Sequence, residues 1–153
     1  MTRYSTSNGS AGGTVSTTYK TFVSLTAATA TLTRGELLIM DFGPSGPPNS
    51  TDCSIVYDLS RQTSLGTGTA FTPTPIDNTS SASGSVGTIN YTIEPTITAN
   101  STMFQIGLNQ RSSMHVQLDQ GFRWPATNVN GLVLRALSTI YASSLGCTTI
   151  HNE

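Results

Sequence analysis

The chain has 153 residues, enough for one domain that buries roughly two thirds of the surface its unfolded form exposes. Only 10% of residues are charged and the formal net charge is -1, against about 25% charged in ordinary globular chains. With Lys20 as the single lysine and six arginines scattered one at a time, no basic patch exists to carry phosphate contacts, and direct nucleic-acid binding is excluded. A hydrophobic share of 36% likewise excludes a highly charged disordered chain.

Residues 1–18 are small, polar and glycine-bearing. They read as a flexible N-terminal arm before a domain of residues 19–153, with Tyr4 in the arm and Tyr19 at the start of the domain as candidate contact residues. The arm lacks the apolar run of a signal peptide, and no later segment is long enough to span a bilayer. Cytoplasmic synthesis is the expectation, with no membrane partner and with Cys53 and Cys147 as free thiols. From residue 19 onward, Thr, Val, Ile and Tyr recur in short runs suited to half-buried strands. The runs predict strands at 19–25, 29–33, 36–42, 54–60, 67–73, 88–94, 102–109, 113–118, 131–137 and 139–143. Glycine, proline and asparagine punctuate them at Arg34-Gly35, across 43–49, at Leu65-Gly66, at Pro73-Thr74-Pro75 and across 77–87. Many short strands with such breaks predict an all-β, single-domain antiparallel sandwich or barrel. Helix competes only at 132–141, where the β-branched ends and the flanking Gly131 and Gly146 weigh against it.

Catalytic groups are sparse. His115 stands out of phase with Met114, Val116 and Leu118 and is expected to face solvent or a subunit contact; His151 is near the chain end, where an ordered active site is not expected. Gly84-Ser85-Val86-Gly87 imitates a nucleophile elbow but reads as a flexible loop. Asp41, Asp52, Asp58, Asp77, Glu94 and Asp119 form no adjacent pair for acid–base work. Asp77 and Asn78 are placed to begin a turn, and 66–69 lacks the lysine of a phosphate loop. Asn-x-Ser/Thr triplets begin at Asn8, Asn49, Asn78, Asn90 and Asn100, as the abundance of Ser and Thr supplies by chance. No catalytic residue, cofactor or metal ligand is assigned, and the chain is not read as an enzyme.

The most informative segment is 93–111, IEPTITANSTMFQIGLNQR. Phe104, Ile106 and Leu108 alternate as one strand face requires, Asn109-Gln110-Arg111 interrupts, and Met114-His115-Val116-Gln117-Leu118 resumes the alternation in hairpin-like order. Then come Phe122-Arg123-Trp124-Pro125-Ala126-Thr127 and Asn130-Gly131-Leu132-Val133-Leu134. In this order the segments resemble a family of tailed-phage head decoration (cement) proteins, with weaker likeness at 22–27 and 62–77; residues 1–20 and 138 onward are unmatched.

The resemblance implies a compact sandwich or jelly-roll-like fold on the outer capsid surface of the virion. It further implies the major capsid protein as partner and a homo-oligomer, with a trimer favoured over a dimer. Contact candidates flank the apolar strand: Asn109, Gln110, Arg111, Phe122, Arg123, Trp124 and Pro125, besides Tyr4 and Tyr19. Glu94 and Arg111 are rare charges that could pair with each other or with Arg123. Trp124 could anchor an interface or close one end of the core. The alternative function is a carbohydrate- or receptor-binding sandwich of a virion or tail, with Tyr57, Tyr91 and Trp124 as a sugar platform.

Overall fold

The computed structural model describes residues 1–9 and 13–153. Among these, no helix forms. The strands are β1 (Arg3–Ser7), β2 (Lys20–Ala27), β3 (Gly35–Pro44), β4 (Ser54–Gln62), β5 (Thr67–Phe71), β6 (Thr74–Pro75), β7 (Ser85–Ile93), β8 (Phe104–Asn109), β9 (Met114–Trp124), β10 (Gly131–Leu137) and β11 (Leu145–Asn152). Every pairing is antiparallel.

The strands make two packed sheets, ordered β6-β1-β11-β3-β9 and β5-β7-β2-β10-β4-β8. From β1 to β4, and again from β8 to β11, each strand lies in the opposite sheet from the one before it. That alternation sets β1-β11-β3-β9 against β2-β10-β4-β8, the wiring of a jelly roll. Strands β5 to β7 are an insertion that lengthens both sheets at one side. The sandwich does not close into a barrel.

Inward side chains of β3, β4 and β10 build the core, with Leu37, Met40, Phe42, Ile55, Tyr57, Leu59, Leu132 and Leu134 all buried. Phe42 and Tyr57 lie 4.7 Å apart between ring centroids, and Phe22 and Phe104 meet this pair edge-on. Burial pushes the Tyr57 phenol pKa up, with Tyr141 and Cys147 adding to the effect. Both cysteines are free.

Several expectations change. Residues 3–7 of the expected arm are a sheet strand: β1 pairs with β11 from Arg3↔Asn152 to Ser7↔Thr148, and Val15 is buried in the core. Residues 10–12 of that arm lie outside the described residues. The expected strand at 29–33 is a turn, in which the amides of Thr31 and Leu32 both donate to the Ala28 carbonyl and Leu32 takes a φ of 46°. The expected strand at 139–143 is replaced by a bend. There the Ser138 hydroxyl accepts from the amides of Ile140 and Tyr141 and donates to the Ser54 carbonyl, a local alternative to a ladder. Residues 85–87, read as a loop, begin β7.

One irregularity matters for function. In the β3–β9 ladder Leu37 pairs with Phe122 and Ile39 with Gln117, so Leu118 to Gly121 stand opposite Leu38 alone. A wide bulge of this kind re-aims side chains at a sheet edge. Gly121 permits it: a Cβ there would fall 2.3 Å from Glu36 Cγ and 2.6 Å from the Leu37 carbonyl oxygen.

Candidate interaction edge

Strands β8 and β9 are consecutive in the chain and end the two sheets on the same side, one in each sheet. Their inward residues Phe104, Ile106 and Leu108, and Met114, Val116 and Leu118, pack on the core but are only partly buried. Among the described residues no further strand pairs beyond β8 or β9, so these side chains form a partly buried apolar seam. The outward residues of β8 are Gln105, Gly107 and Asn109. Proteins commonly blunt free edges with lysine, proline or inward-pointing charge. β8 has none of these, whereas the far edge of the other sheet, β6, is two residues long and carries Pro75.

The turn between the two edge strands is held firmly. Asn109 Oδ1 accepts from the Arg111 amide at 2.9 Å. Gln110, expected as a contact residue, is buried; its Oε1 accepts from the Asn49 amide at 2.8 Å and its Nε2 donates to the Thr51 carbonyl at 2.9 Å. It pins the proline-rich loop before β4 and offers nothing to a partner. Arg111 is exposed and pairs with Asp52 at 3.2 Å, so the suggested pairing of Glu94 with Arg111 or Arg123 does not occur. Glu94 instead pairs with Lys20 at 3.6 Å, and Arg123 with Glu36 at 3.0 Å. The Asp52 carboxyl is held below its usual range, first by Gln110 and then by Arg111.

The other contact candidates divide in two. Asn109 and Arg123 are exposed, and Phe122 and Pro125 are half-buried; all four lie in, or directly after, the edge strands β8 and β9. Trp124 is 1% exposed, edge-on to His151 at 5.2 Å, and so closes the end of the core. Tyr4 is buried too, stacked on His151 at 5.7 Å with its hydroxyl donating to the Ser81 carbonyl. Tyr19 is half-buried under the Arg135 guanidinium, 4.2 Å from the ring centre, and its hydroxyl accepts from Gln105 Nε2. Tyr57 and Trp124 are buried and the Tyr91 hydroxyl is bonded to Ser24, so the suggested sugar platform is not formed.

Two polar groupings escaped sequence reasoning. On the outer face of one sheet, Ser7, Thr148, Asp41 and His115 lie side by side across four strands, with His115 Nδ1 2.6 Å from Asp41 Oδ1. Only ladder register brings these positions into a row. The second is internal. His151 is fully buried, and its Nε2 lies 3.3 Å from Glu153 Oε1. That carboxylate also accepts from Ser83 Oγ and from the Gly84 amide.

The balance at Glu153 sets an acid response. Burial raises its pKa, but hydrogen bonds from His151, Ser83 and the Gly84 amide lower it more, from 4.5 to about 2. A carboxyl depressed in the folded state contributes stability that is complete above its unfolded pKa and is lost as pH falls through the folded one. The expected loss is on the order of 2–3 kcal/mol, incurred between pH 4.5 and about 2. Urea unfolding across that window should show it, and Glu153→Gln should flatten this part of the profile. An unchanged slope in the variant would assign the acid loss elsewhere.

No family model matches the chain, and no curated protein or solved structure matches it either. The class defined by the geometry is an antiparallel jelly-roll sandwich with a partly buried apolar seam between its edge strands β8 and β9.

Proposed function

We propose that this chain is a phage capsid decoration protein that docks on the major capsid protein, and on sister subunits in a homotrimer, at the outer surface of the mature head. The observation that carries this reading is the apolar seam between β8 and β9. Apolar edges left without cover favour association, because closing them removes both apolar surface and free backbone groups from water. Residues 93–111, which resemble decoration proteins, supply the whole of β8 and the first half of the turn into β9. Low charge adds support, since a surface engaged in contacts has little need of solubilising charge. The mechanism is linkage: a protein that binds only the assembled lattice stabilises it by mass action against rupture.

The test places a charge in the seam. With Ile106→Asp or Leu118→Asp, occupancy on emptied heads of the cognate phage should fall at least about tenfold, the equivalent of about 1.4 kcal/mol. Cryo-EM occupancy and co-sedimentation measure binding, and thermal melts of the free protein separate docking from folding. Undiminished occupancy of folded variants would remove the seam from the contact. Failure of the wild-type chain to bind heads, combined with binding to soluble glycan, would favour a receptor-binding module.

A further inference from the structure

The bulge in β9 opens a cleft of about 500 Å³ at the end of the molecule bearing Phe122 and Arg123, lined by Glu36, Arg61, Asp119, Gln120, Gly121, Phe122 and Arg123. That volume lies within the range of small-ligand sites, about 300–1,000 Å³. Arg61 shares the strand phase of the core residues Ile55, Tyr57 and Leu59 and therefore points between the sheets. It reaches across, and its Nη1 donates to the Arg123 carbonyl at 2.9 Å. A guanidinium carries five N–H donors, so this anchor holds one edge of the group and leaves the other donors of a cleft-lining side chain free for a ligand. Glu36 is engaged by Arg123. Asp119 has no ion-pair partner among the described residues, and both Asp119 and Gln120 are exposed on the bulge.

From this arrangement we propose that the cleft is a binding site for a neutral carbohydrate. The charge pattern selects the class: two arginines and two carboxylates cancel, so neither a strong anion nor a cation finds a net attractive field. What remains is a fixed donor on Arg61, acceptors on Asp119, and both kinds on Gln120. A ligand made of hydroxyls, each donor and acceptor at once, satisfies this mixture. Half-buried Phe122 supplies the apolar surface against which the C–H face of a pyranose ring packs. The proposal does not rest on the capsid reading: it is tested on the isolated protein without heads, although the cleft shares Phe122 and Arg123 with the contact candidates.

The experiment titrates the isotopically labelled full chain with methyl glucoside, methyl galactoside, methyl mannoside and N-acetylglucosamine to millimolar concentration, following amide resonances. Sodium galacturonate and inorganic phosphate serve as anionic comparisons. At least one neutral sugar should produce saturable shifts confined to residues 118–123 and Arg61. Asp119→Ala and Gln120→Ala should each weaken that binding, Asp119→Ala by at least about tenfold, as loss of a hydrogen bond to a charged group implies. Their melting temperatures should match wild type, because both side chains are exposed. No saturable shift with any neutral sugar overturns the proposal. So do shifts indifferent to both variants, and tighter binding of galacturonate or phosphate than of every neutral sugar.

Discussion

Trp124→Ala is expected to destabilise the protein by about 3–5 kcal/mol, the range for emptying a large aromatic site. The indole is 1% exposed, edge-on to His151, and seated on a glycine. A Cβ on Gly35 would lie 1.9 Å from Trp124 Cζ2, so Gly35→Ala must displace the indole and should approach the same loss. The two changes share one cause and should be strongly non-additive. Combined with Trp124→Leu, Gly35→Ala should cost far less than it does alone. Chain denaturation by urea measures this, and the single tryptophan reports its own environment by fluorescence. Full additivity would show that Gly35 serves some purpose other than accommodating the indole.

The second large effect concerns Asp58. Its side chain is 1% exposed and pairs with Arg135 Nε at 2.7 Å. It also accepts hydrogen bonds from Ser60 Oγ at 2.6 Å and Thr102 Oγ1 at 2.8 Å. Arg135 in turn stacks on Tyr19. Together these tie the loop before β8 and the approach to β2 onto the outer face of the six-stranded sheet. Arg135→Ala leaves a buried carboxylate without its cation and is expected to cost about 3–5 kcal/mol. Replacing both partners, as Asp58→Leu with Arg135→Met, should recover much of that loss, because desolvation of the pair offsets most of its attraction. A double-mutant cycle in urea decides it. A double variant no better than Arg135→Ala would mean that the hydroxyl bonds to Asp58, and not the ion pair, hold the network.

The seam and the cleft explain why the contact residues expected from sequence divide as they do. Gln110 and Trp124 look like interface groups because they interrupt or follow apolar alternation, yet each satisfies an internal need. Gln110 supplies hydrogen bonds to loop backbone that would otherwise be buried without partners, and Trp124 fills the sandwich end. Arg61 drew no attention in the sequence. Its position between the sheets follows from strand phase, and its target is a carbonyl 62 residues away.

The amino-acid sequence by itself determined the strand class, the central apolar strands, the solvent phase of His115 and the turn at Asp77. There Thr79 donates to the Asp77 carboxylate from its amide at 2.9 Å and from its hydroxyl at 2.7 Å. These depend on period-two alternation and local hydrogen bonding, which neighbouring residues specify. It could not reveal β1 and β11. Their inward positions include Thr6, Thr149 and His151, whereas apolar Ile150 faces outward, so alternation gives a weak or inverted signal. Tertiary structure alone decided that these strands lie side by side within a sheet, that β8 and β9 end the two sheets on one side, and that Arg61 and the β9 bulge line one cleft. The β1–β11 pairing and the cleft join residues far apart in the chain, and the free energy that selects such an arrangement comes from burial across the whole sandwich.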